Sequence, residues 1–228
     1  MTFVVNILNK DFSLIASDKR ANTTGPTTIK MGNITINAEN GATIDGYKKI
    51  YTNESNSFAA GIAGVTDSHS YAKILESTAD INLALRNIRE HMESFLDVNN
   101  REKLLEMNSL TENQGVITFF DGKTDTYFSN FYLFSEIHNY TRLFARSEEG
   151  TRLIHIGSGS SHFESIFSTE EVNSFIESIS GTTDIERVLL WLNEVFGKVS
   201  DADDSVSSEF VAYVSTREIP EFIEVTNS

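Results

Sequence analysis

Short runs of apolar and β-branched residues dominate the first sixty positions. Thr2–Leu8 and Phe12–Ser17 are two such runs, parted by the polar triplet Asn9-Lys10-Asp11, and they predict a β-hairpin. A Thr/Gly/Pro stretch follows from Asn22 to Thr28. Ile34–Asn37 and Ala42–Asp45 then flank Glu39-Asn40-Gly41, whose Asn-Gly step predicts a second hairpin. Tyr47–Thr52 and Phe58–Gly64 predict two further strands.

The period then changes. Between Ser68 and Leu96 the residues Tyr71, Ile74, Leu75, Leu83, Leu85, Ile88, Met92 and Phe95 fall largely at helical spacing. Asp67 or Ser68 is placed to cap that long helix and Asp97–Asn100 to end it. Arg101–Leu110 predicts a shorter helical piece, and strand character returns at Val116–Phe120, Thr126–Phe134 and Arg152–Ile156. Gly157-Ser158-Gly159-Ser160-Ser161 turns the chain into a further helical region. Asp184–Phe196 predicts an amphipathic helix carrying the only tryptophan, Trp191, before strands at Glu209–Ser215 and Phe222–Val225. Residues 1–228 therefore predict one domain in which sheets and helices segregate into layers.

Composition narrows the function classes. The 228 residues hold 18 Lys and Arg against 33 Asp and Glu, a net charge of −15, which argues against nucleic-acid and anionic-membrane partners. With no cysteine, disulfides, thiolate metal sites and a Cys nucleophile are excluded. No apolar run approaches the ~18 residues of a membrane span. The N-terminus lacks the basic start and long apolar stretch of a secretory signal, so a cytoplasmic protein is expected. From Asp201 to Ser228, seven acidic residues face only Arg217, and this −6 segment is expected to face water or a basic partner.

Candidate chemistry is sparse. Thr2 follows an initiator methionine, which is commonplace, but once exposed its hydroxyl can attack while its own α-amine takes the proton. The α-amine's ordinary pKa of ~7.7–8.0 suits that task. Asp18-Lys19-Arg20 ends the second predicted strand and so returns beside Thr2; alone it reads as a solvated strand-end cluster. Of Lys48-Lys49, one lysine directed inwards would lower the pKa of a neighbouring hydroxyl or amine. Gly61-Ile62-Ala63-Gly64 reads as a strand-to-helix turn or as a backbone donor for an oxyanion. Gly157-Ser158-Gly159 lacks the spacing of a nucleotide loop, since His162 stands at the last position. The five histidines have no metal-ligand spacing and Asp201-Asp203-Asp204 reads as a solvated loop, so no metal and no cofactor are expected.

Taken in order, these elements resemble the proteasome β-subunit family of N-terminal-nucleophile (Ntn) hydrolases. Ala16-Ser17-Asp18-Lys19-Arg20-Ala21-Asn22 matches a family motif, with Asp18 sixteen positions after Thr2. Lys48-Lys49-Ile50, Ala63-Gly64-Val65, Gly157-Ser158-Gly159 and Asp204-Ser205-Val206-Ser207 match its later motifs. The resemblance implies an α+β fold, a four-layer αββα sandwich of two antiparallel sheets between helix layers. It implies Thr2 as nucleophile after Met1 removal, Lys49 held by Asp18, Gly64 N–H at the oxyanion, and Ser158, Asp204 and Ser207 positioning amine and water. Ala21, Asn22, Ile62 and Thr66 fall at its substrate-binding positions. The activity implied is a threonine-type peptide or amide hydrolase with a peptide or protein substrate, working as a self-compartmentalising homo-oligomeric ring. An ATPase unfoldase as feeding partner is not specified by the sequence. Two alternatives share the fold: a ligase or transpeptidase using the same acyl-Thr2, and a non-catalytic ring scaffold or binding subunit.

The chain also departs from the pattern. Asp18 and Lys49 are 31 positions apart, about twice the family's interval, the excess being the Ile34–Asp45 region, which makes Lys30 a rival for the lysine role. Ser208-Glu209 stands where the family has a glycine pair, and Asn22 stands where it has threonine. The Ile34–Asp45 region interrupts the chain between two site elements and is expected to border the substrate cleft.

Overall fold

A computed structural model describes residues 2–22, 27–31, 34–38, 42–63, 73–95, 113–135 and 139–226. Among them it is a mixed α/β structure with two five-stranded antiparallel sheets. In chain order the strands are β1 (Phe3–Leu8), β2 (Phe12–Asp18), β3 (Ala21–Asn22), β4 (Thr27–Met31), β5 (Ile34–Ala38), β6 (Thr43–Ile44), β7 (Ile50–Thr52) and β8 (Phe58–Ala63), then β9 (Asn113–Asp121), β10 (Thr126–Ser135), β11 (Asn139–Arg146), β12 (Arg152–Gly157), β13 (Phe210–Thr216) and β14 (Ile223–Thr226). The helices are α1 (Ile81–Phe95), α2 (Gly159–Ile166), α3 (Thr169–Ile179) and α4 (Ile185–Ala202), with a 3₁₀ turn at Ser147–Glu149. The first sheet runs β12-β1-β2-β13-β14 and the second β11-β10-β9-β8-β7.

Strand alternation sorts side chains into three cores. Phe3, Val5 and Ile7 of β1 with Phe12, Leu14 and Ala16 of β2 pack with Val188, Leu192, Val195 and Phe196 of α4. The opposite face, Val4 and Ile15, packs with Ile50, Ala59, Ala63 and Val116 of the second sheet. Tyr51, Phe58, Ala60, Ile62 and Ile117 pack with Ala84, Leu85 and Ile88 of α1. Two buried polar contacts fix the register of sheet on sheet: Ser129 Oγ donates to Asn6 Oδ1 at 2.6 Å, and Ser13 and Thr118 hydroxyls meet at 2.6 Å.

The hairpin Thr2–Leu8/Phe12–Ser17 forms as the polarity pattern predicts, with Val4 opposite Ser17 and Leu8 opposite Ser13. The second hairpin does not. Ile34–Ala38 pairs with Thr27–Met31, and Thr43–Ile44 pairs with Ala21–Asn22, so one ladder nests inside another. In the inner ladder Met31 lies opposite Ile34, so β5 takes the strand before it as partner and not the strand after it. Apolar alternation alone does not choose between them.

The long helix is also divided. A helical turn occupies 73–76, and α1 starts afresh at Ile81. Ser77 and Thr78 hydroxyls turn back onto the carbonyls of Lys73 and Ile74, and Asp80 Oδ1 accepts the Asn82 and Leu83 N–H groups as a new N-cap. The predicted starts at Asp67 or Ser68, the predicted end at Asp97–Asn100 and the Arg101–Leu110 piece lie outside the described residues. β11 has no counterpart in the sequence reading, because its apolar residues show no clean alternation. No described helix is long and apolar enough to cross a membrane. In the acidic C-terminal segment Asp201, Asp204, Glu209, Glu218, Glu221 and Glu224 are exposed, and Asp203 is half-buried.

Candidate active site

Antiparallel pairing brings three chain segments to one end of the first sheet. Phe3 lies opposite Gly157, so Thr2, one residue earlier, meets the turn into α2. Its N–H donates to Ser158 Oγ at 3.3 Å, and the Gly159 N–H donates to the Thr2 carbonyl at 3.4 Å. That approach depends on Gly157, whose φ is +95°, and a Cβ there would fall 2.0 Å from the Thr2 carbonyl oxygen.

Asp18, at the end of β2 and opposite Phe210, is 0% exposed. Its Oδ1 accepts the Phe3 N–H at 2.8 Å and Lys49 Nζ at 2.7 Å. Its Oδ2 accepts Lys49 Nζ at 2.8 Å, the Arg20 N–H at 3.0 Å and the Ser207 N–H at 3.4 Å. A buried carboxylate is stable only when its lone pairs are met in this way. Lys49, 3% exposed, precedes β7 and delivers a cation across from the second sheet. Burial pulls its ammonium below the ordinary lysine pKa, against the Asp18 carboxylate, which holds the proton on. Its neighbour Lys48 points outward towards Glu76.

Thr2, Asp18, Lys49, Ser158 and Ser207 are thus joined by direct hydrogen bonds through Asp18, the Phe3 amide and the α2 turn. Ser207 contributes its backbone to Asp18, while its hydroxyl accepts the Glu209 N–H at 3.1 Å. Asp204 sits differently from what the motif suggests. Its side chain is exposed, and its carbonyl accepts Arg20 Nη1 at 3.0 Å. Asp203, at the end of α4, is the acid whose charge reaches Lys49, and its carboxylate also holds Ser205. Gly64 and Thr66 lie outside the described residues, beyond Ala63 at the end of β8. Ala21 and Asn22 are half-buried on β3, and Ile62 is buried with Tyr51, Ala84 and Leu85 under α1. The described residues include no acidic or histidine cluster that could hold a metal.

Two partners escape a reading of the sequence. Gln114 Oε1 on β9 accepts the Gly157 N–H at 2.9 Å, tying the second sheet to the turn under Thr2. Arg20 joins Asp45 and Asp204, and the Asp45 hydrogen bond raises its pKa further. Gln114 sits near the start of a predicted strand with nothing local to distinguish it. Arg20 lies within the Ala16–Asn22 motif, but its partners are 25 and 184 positions away.

The combination of two antiparallel sheets, helices against them and a residue-2 corner closed by a strand-to-helix turn is similar to a proteasome-like fold. Among solved structures, the Gly-1 mutant of Anbu from Hyphomicrobium sp. strain MC1 is similar with a TM-score of 0.56. The match covers all of this chain and 87% of that one at 12% identity, a likeness of fold. No protein-family model matches the chain, and no curated protein matches it.

Proposed function

We propose that this chain is a threonine-type amide hydrolase of the Ntn class, acting on peptides or proteins from within a homo-oligomeric ring. The three cores are read as the seams of a four-layer αββα sandwich. The observation that carries the proposal is the buried Asp18–Lys49 pair, whose carboxylate also binds the amide next to Thr2. Two charges withdrawn from water seldom serve stability, whereas a fixed cation beside a hydroxyl and an amine lowers the pKa of both.

Removal of Met1 frees the Thr2 amine beside Ser158 Oγ. The Thr2 hydroxyl proton passes to that amine as Oγ bonds to the substrate carbonyl carbon, and the oxyanion is met by the Gly64 N–H. The C–N bond then breaks as the α-ammonium returns its proton to the leaving amine. Water hydrolyses the resulting acyl-Thr2 ester. Lys49 stays charged on Asp18 throughout, and Ser158 and Ser207 hold the flanking backbone.

Intact mass and covalent labelling test this. The purified assembly is expected to lack Met1 and to take one peptide epoxyketone per chain on Thr2, a reaction that needs hydroxyl and free amine together. Thr2→Ala abolishes the adduct. Retained Met1 with no adduct would sink the catalytic reading and leave a ring scaffold.

A further inference from the structure

The nested ladders lay a piece of this chain along the site. β3 begins three residues after Asp18, and its partner is β6, with Ala21 opposite Ile44 and Asn22 opposite Thr43. The pairing continues towards Asp18, where the Tyr47 N–H donates to the Lys19 carbonyl at 2.8 Å. Ile44 is only 7% exposed and lies outside the three cores among the described residues. Arg20 fastens the arrangement: Nε donates to Asp45 Oδ1 at 2.8 Å and Nη1 to the Asp204 carbonyl at 3.0 Å. One guanidinium therefore joins the strand to the loop that carries Ser207. Asn22 Oδ1 is buried with no hydrogen-bond partner among the described residues, an acceptor that β6 leaves unmet.

An extended peptide presenting a carbonyl to Thr2 gains main-chain hydrogen bonds by adding to a strand edge beside it. We propose that residues 42–47 form a resident strand that occupies the β3 edge until an extended peptide displaces it, the peptide supplying the N–H that Asn22 lacks. The proposal rests on Thr2 being the nucleophile. Its latch is the Arg20–Asp45 pair, with side chains 29% and 65% exposed, and such pairs are weak and screened by salt. Modest binding energy suffices to open it.

The test compares the assembled wild type with Asp45→Ala and with Asp45→Glu, which keeps the charge. Two probes are used: a tetrapeptide epoxyketone, which needs a strand edge, and a minimal β-lactone, which does not. Asp45→Ala is expected to speed peptide-probe labelling about three- to fivefold, and Asp45→Glu to return it towards wild type. Salt should speed wild type and Asp45→Glu but not Asp45→Ala, and the β-lactone should label all three equally. Equal peptide rates, or a parallel rise with both probes, would overturn the resident strand. Absence of any adduct with either probe overturns the nucleophile instead. Hydrogen exchange then judges the strand by itself, using saturating acetylated apolar tetrapeptide. The Ile44 and Tyr47 amides must exchange faster with peptide than without, and faster in Asp45→Ala than in wild type. Unchanged exchange, or no peptide binding even to Asp45→Ala, overturns it.

Discussion

The β1–β2 hairpin is buried at both ends, and the two ends are built from different chemistry. At the turn, Asn9 is 1% exposed and entirely neutral. Its Oδ1 accepts the Asp11 and Phe12 N–H groups at 2.8 Å each, and its Nδ2 donates to the carbonyls of Ile179 and Thr182 at 3.2 and 3.4 Å. That one amide closes the turn and docks the end of α3. At the open end the same task of satisfying buried backbone falls to Asp18, which brings a buried charge and requires Lys49 to neutralise it. An asparagine is sufficient where only folding is at stake. A charge at the other end therefore points to a role beyond folding, since a buried ion pair is often matched or bettered in stability by neutral residues.

Breaking the charged end should give the largest effects. Lys49→Ala leaves Asp18 buried and short of its cation, which costs about 3–5 kcal/mol of stability. It should also slow Thr2 labelling at least about a hundredfold. The informative variant is the pair Asp18→Asn with Lys49→Met, which removes both charges and keeps an acceptor for the Phe3 N–H. Chemical denaturation should find its stability within about 2 kcal/mol of wild type, while labelling stays slowed at least about a hundredfold. If the neutral pair labels Thr2 at the wild-type rate, the charges are structural and the contrast between the two ends collapses.

The neutral end should show the converse. Asn9→Ala removes four hydrogen bonds that tie the turn to the end of α3, a loss of about 2–4 kcal/mol. Labelling of the folded fraction, measured well below the melting temperature, should match wild type. A slowed reaction in fully folded Asn9→Ala would mean that the two ends are coupled through the strands.

The same contrast explains what could be read from the sequence. The turn end was legible because Asn9-Lys10-Asp11 is local, and local polarity breaks announce hairpins. The charged end was legible only as a set of short motifs: Thr2, Asp18, Lys49, Ser158 and Ser207 lie far apart, and antiparallel register joins them. The Asn40-Gly41 step predicts a turn between Ile34–Asn37 and Ala42–Asp45, and apolar alternation carries no information on the nesting found instead. The sequence predicts one helix through Ser77–Asp80, whereas side-chain hydroxyls and a carboxylate competing for backbone break it there. Arg20's role depends on partners that β2, β6 and the end of α4 deliver together.

The smallest expected effect is a slope of stability against pH, and it separates the two ends without abolishing anything. Burial sets the folded Lys49 pKa below its unfolded value near 10.5. Between those two values the unfolded chain binds more protons than the folded one, so stability rises with pH, by at most about 1.4 kcal/mol per unit. The contribution is complete above 10.5 and is lost as pH falls through the folded value. Tyr127, raised to about 12 by burial, and Tyr213, also raised, act in the opposite sense. Their stabilisation is complete below their unfolded value near 10 and is lost above it, so the comparison belongs on the acid side of pH 10. There Asn9→Ala should keep the wild-type slope at lower absolute stability, and Asp18→Asn with Lys49→Met should flatten it. Equal slopes in wild type and the neutral pair would show that Lys49 keeps its proton well past pH 10, and that Asp18 outweighs burial in setting its charge.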